Sequence, residues 1–138
     1  MIDERFELWP IGRVESTLLD ARMAPPQGDE GAPSAIIRLR PNVYEAARDI
    51  AVGDDLLVLT WLHLADRETQ SVHPRSDYTR PLTGVFSTRS PDRPNPIGLH
   101  RVRVLGVGSD SIEVDRLEAI NGTPVVDLKP VLRAQTER

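Results

Sequence analysis

Apolar residues in this chain come in short runs, and most of the runs alternate with polar residues. In residues 99–107, His100, Val102 and Val104 share one face and Arg101, Arg103 and Leu105 the other, the two-residue period of a half-buried strand. Residues 112–117 alternate in the same way, and residues 35–39 form a short apolar strand. Residues 56–64, Leu-Leu-Val-Leu-Thr-Trp-Leu-His-Leu, are the most apolar run. They have strand length and no helix period, and read as a strand buried on both faces. Residues 6–14 read as a first strand, interrupted at Pro10 and therefore at an edge or bent. Asn42, with Glu45 three residues on, has the form of a helix start, and only a short helix fits before Gly53. Breakers at Pro25, Pro26, Gly28, Gly31 and Pro33 make residues 18–33 a loop. Asn121-Gly122 is a tight-hairpin turn leading into a strand at residues 124–128. The tail after Pro130 is polar and expected to fray. This gives six to eight short strands, one or two short helices and no βαβ rhythm. The expected fold is mainly β, a closed or partly open β-barrel.

A length of 138 residues predicts a single domain spanning the chain. The absence of cysteine excludes disulfides and thiolate metal sites. His63, His73 and His100 have no metal-ligand spacing, so no metal is expected. No run approaches membrane-spanning length and the acidic start is no signal peptide, so the expectation is a cytoplasmic protein. The net charge of −4 argues against a generic nucleic-acid binder. From Arg67 to Arg103, however, seven arginines stand against Glu68, Asp77 and Asp92, a local balance of +4. A basic middle with acidic flanks suggests one anion-facing surface.

The chemistry concentrates in residues 84–99. Pro91, Pro94 and Pro96 fix their own φ and restrict Ser90, Arg93 and Asn95, so this is neither helix nor central strand. It is a stiff loop carrying Arg89, Arg93, the Asn95 amide and three hydroxyls. Such a loop suits an anionic ligand, because little entropy remains to be lost on binding. The plain alternative is a surface turn with solvated arginines.

The run Thr88-Arg89-Ser90-Pro91-Asp92-Arg93-Pro94-Asn95-Pro96-Ile97-Gly98 resembles the signature of the TrmO (TsaA-like) family of S-adenosylmethionine-dependent tRNA methyltransferases. Asn121-Gly122-Thr123-Pro124-Val125-Val126-Asp127-Leu128-Lys129-Pro130 resembles the family's second motif. Pro25-Pro26-Gln27-Gly28 resembles a third, with Pro26 where the family usually has Arg. The resemblance implies a TsaA-like β-barrel with S-adenosylmethionine as cofactor. Cofactor contacts then fall on Pro26, Gln27, Gly28, His63, Leu64, Arg89, Leu99, Ile120, Asn121, Gly122 and Thr123. It also implies a homodimer, and as acceptor the N6 of threonylcarbamoyladenosine beside the anticodon of tRNA. The chain ends soon after Lys129, as in a short form without the extra C-terminal domain of longer members.

Methyl transfer from a sulfonium needs orientation and exclusion of water rather than a covalent nucleophile. Arg89 is the first candidate for the cofactor's carboxylate. Asp127 and His63 both remain candidates for taking a proton from the acceptor amine. Arg93, Asn95 and Lys129, with Arg75 and Arg80, are the candidates for holding the substrate. An RNA is expected across Arg67, Arg75, Arg80, Arg93 and Arg103. Asn121, Gly122 and Thr123 are expected to offer open backbone amides and carbonyls to an adenine edge. A methyltransferase acting on a small molecule and a non-enzymatic anion-binding barrel are the two alternatives.

Overall fold

The computed structural model describes residues 4–26 and 28–132. Gln27 lies outside them, as do the first three residues and the polar tail beyond Leu132 that was expected to fray. The strands are β1 (Gly12–Glu15), β2 (Ala35–Leu39), β3 (Asp55–Trp61), β4 (Ser71–Val72), β5 (Thr83–Gly84), β6 (Ile97–Val107), β7 (Ser111–Val114) and β8 (Pro124–Pro130). Six of them close, all antiparallel, into a barrel of order β1-β2-β7-β6-β3-β8, while β4 and β5 form a separate ribbon. Closure rests on a short seam in which Gly12 pairs with Val125 and Arg13 with Pro124. This is the barrel that the short alternating runs imply.

Alternation builds the core. Val14, Ile37, Val58, Val102, Val104, Ile112, Val114 and Val125 are buried and face the barrel axis. Most are β-branched, and their stiff χ1 suits a pleated wall. On β6 the inward set is His100, Val102 and Val104, as the period requires.

Several local expectations change. The first strand begins only at Gly12, and Phe6, Leu8 and Trp9 are exposed. Pro10 has no amide to donate, and the ladder starts with the next residue, where Ile11 N–H meets Val125 O at 2.8 Å. β3 is buried on one face only. Leu56, Val58 and Thr60 are inside, whereas Leu57, Leu59 and Trp61 lie half-buried on the outer wall. The helix expected from Asn42 is two 3-10 turns, Pro41–Val43 and Glu45–Ala47, and Arg40 rather than Asn42 precedes the first. Pro41, pre-set at the first helical position, outweighs the Asn42 cap signal. β7 stops at Val114, short of residue 117, just before Arg116 at φ +45°. Asn121-Gly122 does turn the chain, with Gly122 at φ +86°, but not as a hairpin, because β7 and β8 are not neighbours.

One irregularity aims a site residue. β3 and β8 pair Leu59 with Asp127 but Thr60 with Val125, so Val126 is an extra residue. This bulge reverses the phase of β8. Val125 and Leu128 pack toward the core, and Asp127 points out beside Leu59. No helix among the described residues is long and apolar enough to cross a membrane.

Candidate functional site

The proline loop is held by its own polar groups. Thr88 Oγ1 accepts the Ser90 amide at 3.1 Å and Ser90 Oγ accepts the Asp92 amide at 3.2 Å, each bond two residues long. The Arg93 guanidinium lies inside the loop and donates to the carbonyls of Val85 (3.1 Å), Thr88 (3.2 Å) and Ser90 (2.9 Å). Arg67 ties the far side down, donating to Pro94 O at 2.7 Å and Asn95 Oδ1 at 2.9 Å, with its guanidinium 5.1 Å from the centre of the Trp61 ring. Leu62 N–H bonds Pro96 O, and Asp66 N–H bonds Asp92 Oδ1. The turn bearing His63 and Leu64 therefore flanks this loop, and both side chains are exposed. Arg93 and Asn95, expected to hold substrate, are thus parts of the loop's frame. Arg89 is exposed and has no partner among the described residues.

Because Arg93 bridges three carbonyls with a planar fork, Arg93→Lys is expected to loosen the loop even though it keeps the charge. Hydrogen exchange at residues 85–96 should rise at least several-fold, with little change on β2 or β7. Unchanged protection of the loop would show that the proline frame alone sets its stiffness.

A second assembly lies on the outer wall of β6. The Gly28–Glu30 turn and residues 116–118 border a groove of about 380 Å³ lined by Gly28, Asp29, Asp55, Leu99, Arg101, Arg103, Arg116 and Glu118. Gly28 is required by close approach, since a Cβ there would collide with the Arg116 carbonyl oxygen and lie 3.0 Å from Glu118 Oε2. Two expected cofactor positions far apart in the chain, Gly28 and Leu99, thereby meet in one groove. Arg103 donates to Asp55 at 3.2 Å and Arg116 lies 3.3 Å from Asp115, which leaves Arg101 as the groove's arginine without a partner among the described residues.

Leu99, Leu59 and Asp127 stand in register across β6, β3 and β8, so Leu99 and Asp127 lie two strand spacings apart, about 10 Å. Arg101, Leu57 and Lys129 form the next row. Lys129 Nζ meets Asp127 Oδ2 at 2.9 Å, as their i, i+2 spacing suggests. Pro26 is exposed at the rim of its loop.

Residues 120–123 do not offer the open amides expected of them. Asn121 N–H donates to Leu18 O at 2.6 Å, Gly122 N–H to Val14 O at 2.7 Å and Thr123 N–H to Ile120 O at 3.2 Å. Thr123 is buried and its hydroxyl also bonds Ile120 O, at 2.7 Å. Gly122 thereby extends the short β1–β8 seam to Val14, while Thr123 closes the turn on Ile120 and Asn121 ties it to Leu18. The basic face changes too. Arg75 pairs with Glu30 at 2.8 Å and Arg80 with Asp77 at 3.5 Å. The Asp77 carboxyl is held below its usual range by the Thr79 hydroxyl first, and in part by Arg80 and His73. All five arginines assigned to an RNA surface, Arg67, Arg75, Arg80, Arg93 and Arg103, have intrachain partners.

The sequence reading missed a buried chain of polar groups. Thr60 Oγ1 lies 2.7 Å from His100 Nε2, and His100 Nδ1 lies 2.6 Å from Glu118 Oε1. Thr60 and His100 are 0% and 4% exposed in an otherwise apolar interior. The signal was present: a lone histidine on the inward face of an apolar strand must find a partner. Arg101 was missed because alternation alone assigns it to solvent.

The fold and groove define a class, an antiparallel β-barrel with a ligand-sized polar groove on its outer wall beside a stiff arginine loop. The chain belongs to the family of the tRNA-methyltransferase O N-terminal domain, whose model matches residues 13–135. It is 38% identical over 130 residues to a "Probable S-adenosyl-L-methionine-binding protein" of Methanothermobacter thermautotrophicus, covering 94% of this chain and 93% of that one. An "S-adenosyl-L-methionine-binding protein" of Archaeoglobus fulgidus is 36% identical over 122 residues, covering 88% and 86%. The crystal structure of TrmO from Pseudomonas aeruginosa superposes with a TM-score of 0.75 at 26% identity, over 99% of this chain and 61% of that one. The chain thus spans these two relatives nearly in full but about three fifths of TrmO.

Proposed function

We infer that this protein binds S-adenosylmethionine and is a methyltransferase of tRNA that acts on N6 of threonylcarbamoyladenosine beside the anticodon. The observation that carries the reading is the meeting of Gly28 and Leu99, both expected cofactor contacts, in one groove. Its volume lies in the range of small-molecule sites. Its lining fits the cofactor's chemistry: carboxylates at Glu118 and Asp29 for hydroxyls and ammonium, a free guanidinium at Arg101 for a carboxylate, and apolar Leu99 for the base. When bound, S-adenosylmethionine supplies an electrophilic methyl on sulfur. The protein's part is to orient and to exclude water. Arg89, on the stiff loop, is assigned to the methionine carboxylate, with Arg101 as a second cation. Asp127, aimed outward by the bulge, and His63, in the turn after β3, are our two candidates for taking the acceptor's proton. Lys129 Nζ, 2.9 Å from Asp127 Oδ2, fixes the orientation of that carboxylate. Leu64 and Phe86, 73% and 81% exposed beside the loop, are surface that a second copy of this single barrel would cover.

A second reading keeps the cofactor and changes the acceptor to a small molecule. It is favoured by the intrachain pairing of all five arginines expected to meet RNA. With cofactor at a hundred times its Kd, stability should rise by about 2.7 kcal/mol, seen as a melting shift of roughly 5–15 °C. No heat and no shift with a folded sample would remove the cofactor from both readings. Label transfer from S-adenosylmethionine into bulk tRNA, followed by nucleoside mass spectrometry, then separates them. Transfer to N6 of the modified adenosine supports the first, and binding without transfer to tRNA supports the second.

A further inference from the structure

The residues of the chain Thr60–His100–Glu118 stand close in sequence to several parts of the candidate site. Thr60 precedes the His63–Leu64 turn by three residues, His100 follows Leu99, and Glu118 lies two residues before Ile120. Gly98, which closes the proline loop, faces the same chain: a Cβ there would collide with Thr60 Oγ1 and lie 2.7 Å from His100 Nε2. At the other end Glu118 reaches the underside of Gly28. A histidine needed only for packing would not be expected to bridge these segments.

The carboxylate of Glu118 is divided between two tasks. Oε1 is fixed by His100 Nδ1 at 2.6 Å. Oε2 has no hydrogen-bond partner among the described residues, yet no side-chain oxygen or nitrogen among them is buried without one. It is therefore not buried, and it lies beneath Gly28 in the residue that lines the groove with Gly28 and Leu99. A fixed carboxylate acceptor in a nucleoside-sized groove is suited to the hydroxyls of a ribose, which donate hydrogen bonds to it. The groove's other acids are less suited, because Asp55 is bonded to Arg103 and Asp29 lies on an exposed turn.

We propose that Glu118 recognises the ribose hydroxyls of a nucleoside ligand in this groove, and that His100, braced by Thr60, is the positioning residue that sets its free oxygen. The proposal rests on the groove being the cofactor site. Calorimetry with S-adenosylhomocysteine and its 2′-deoxyribose analogue tests both. The parent is expected to bind the deoxy analogue about tenfold or more weakly. Glu118→Gln should weaken the ribose ligand by a similar factor and leave the deoxy analogue near its parent affinity. His100→Gln should shrink the discrimination in the same direction, an effect that a purely structural residue would not produce, since lost folding weakens both ligands alike. Equal loss of both ligands in Glu118→Gln overturns the proposal. Should that variant not fold, a parent that binds the two ligands within twofold overturns it equally. A parent that binds neither overturns the cofactor reading of the groove, and this assignment with it.

Discussion

The Gly98→Ala variant is expected to lose about 3–5 kcal/mol of stability and to melt some 10–20 °C below the parent. Gly98 sits inside the wall of β6, and the added methyl would overlap the Thr60 hydroxyl and press on the His100 ring. Neither neighbour can swing away. Thr60 is wholly buried and His100 is held at both nitrogens, so accommodation means breaking a buried hydrogen bond and leaving its partners dry. Gly106→Ala on the same strand is the contrast. Its Cβ would meet Glu113 Cβ at an ordinary 3.7 Å, and replacing glycine there should leave stability unchanged or slightly raised. Circular-dichroism melts of the two variants measure the difference. Adding Thr60→Ala should make the Gly98→Ala substitution less harmful, because it removes the first atom in the way. If Gly98→Ala melts with the parent, the Thr60–His100 contact is not the constraint described here.

Arg89→Ala should weaken binding of S-adenosylmethionine by about 10- to 100-fold, the range for losing a charge-assisted hydrogen bond to a carboxylate. Among the arginines of the basic middle, Arg89 and Arg101 are the two without a partner among the described residues, so each has its full donor set available. Arg89 is displayed by a loop that is already ordered, so binding costs little further entropy. Arg40→Ala is the control. It too removes an exposed, unpartnered guanidinium, but at the end of β2, and should leave the affinity unchanged. Arg101→Ala, which alternation alone would make a silent surface change, should now weaken binding as well, because its strand lies beneath the Gly28–Glu30 turn. Calorimetry in which Arg89→Ala matches the parent would detach the loop from the cofactor.

Much of the barrel was legible because strand alternation is a local property. The inward face of β6, the bounds of β2 and the stiffness of the proline loop follow from side-chain period and fixed φ, without knowledge of any partner. The misread elements are those where a neighbour decides. Pro10 delays β1 because it has no amide to donate, and the first rung, from Ile11 N–H to Val125 O, is made with β8. The outer face of β3 stays half open because nothing among the described residues fully covers it.

The site divides along the same line. Sequence by itself determined the family motifs, the rigid arginine loop and the Asp127–Lys129 pair, since each is written within a few consecutive residues. Tertiary structure alone decided which arginines remain available, because a guanidinium's partner can lie far along the chain, as Glu30 does for Arg75 and Asp55 for Arg103. It alone turned Asp127 outward, through a one-residue bulge visible only in the pairing with β3. It also brought Thr60, His100 and Glu118 together beneath Gly28. Burial creates that demand for partners, and only the closed barrel determines which residues meet it.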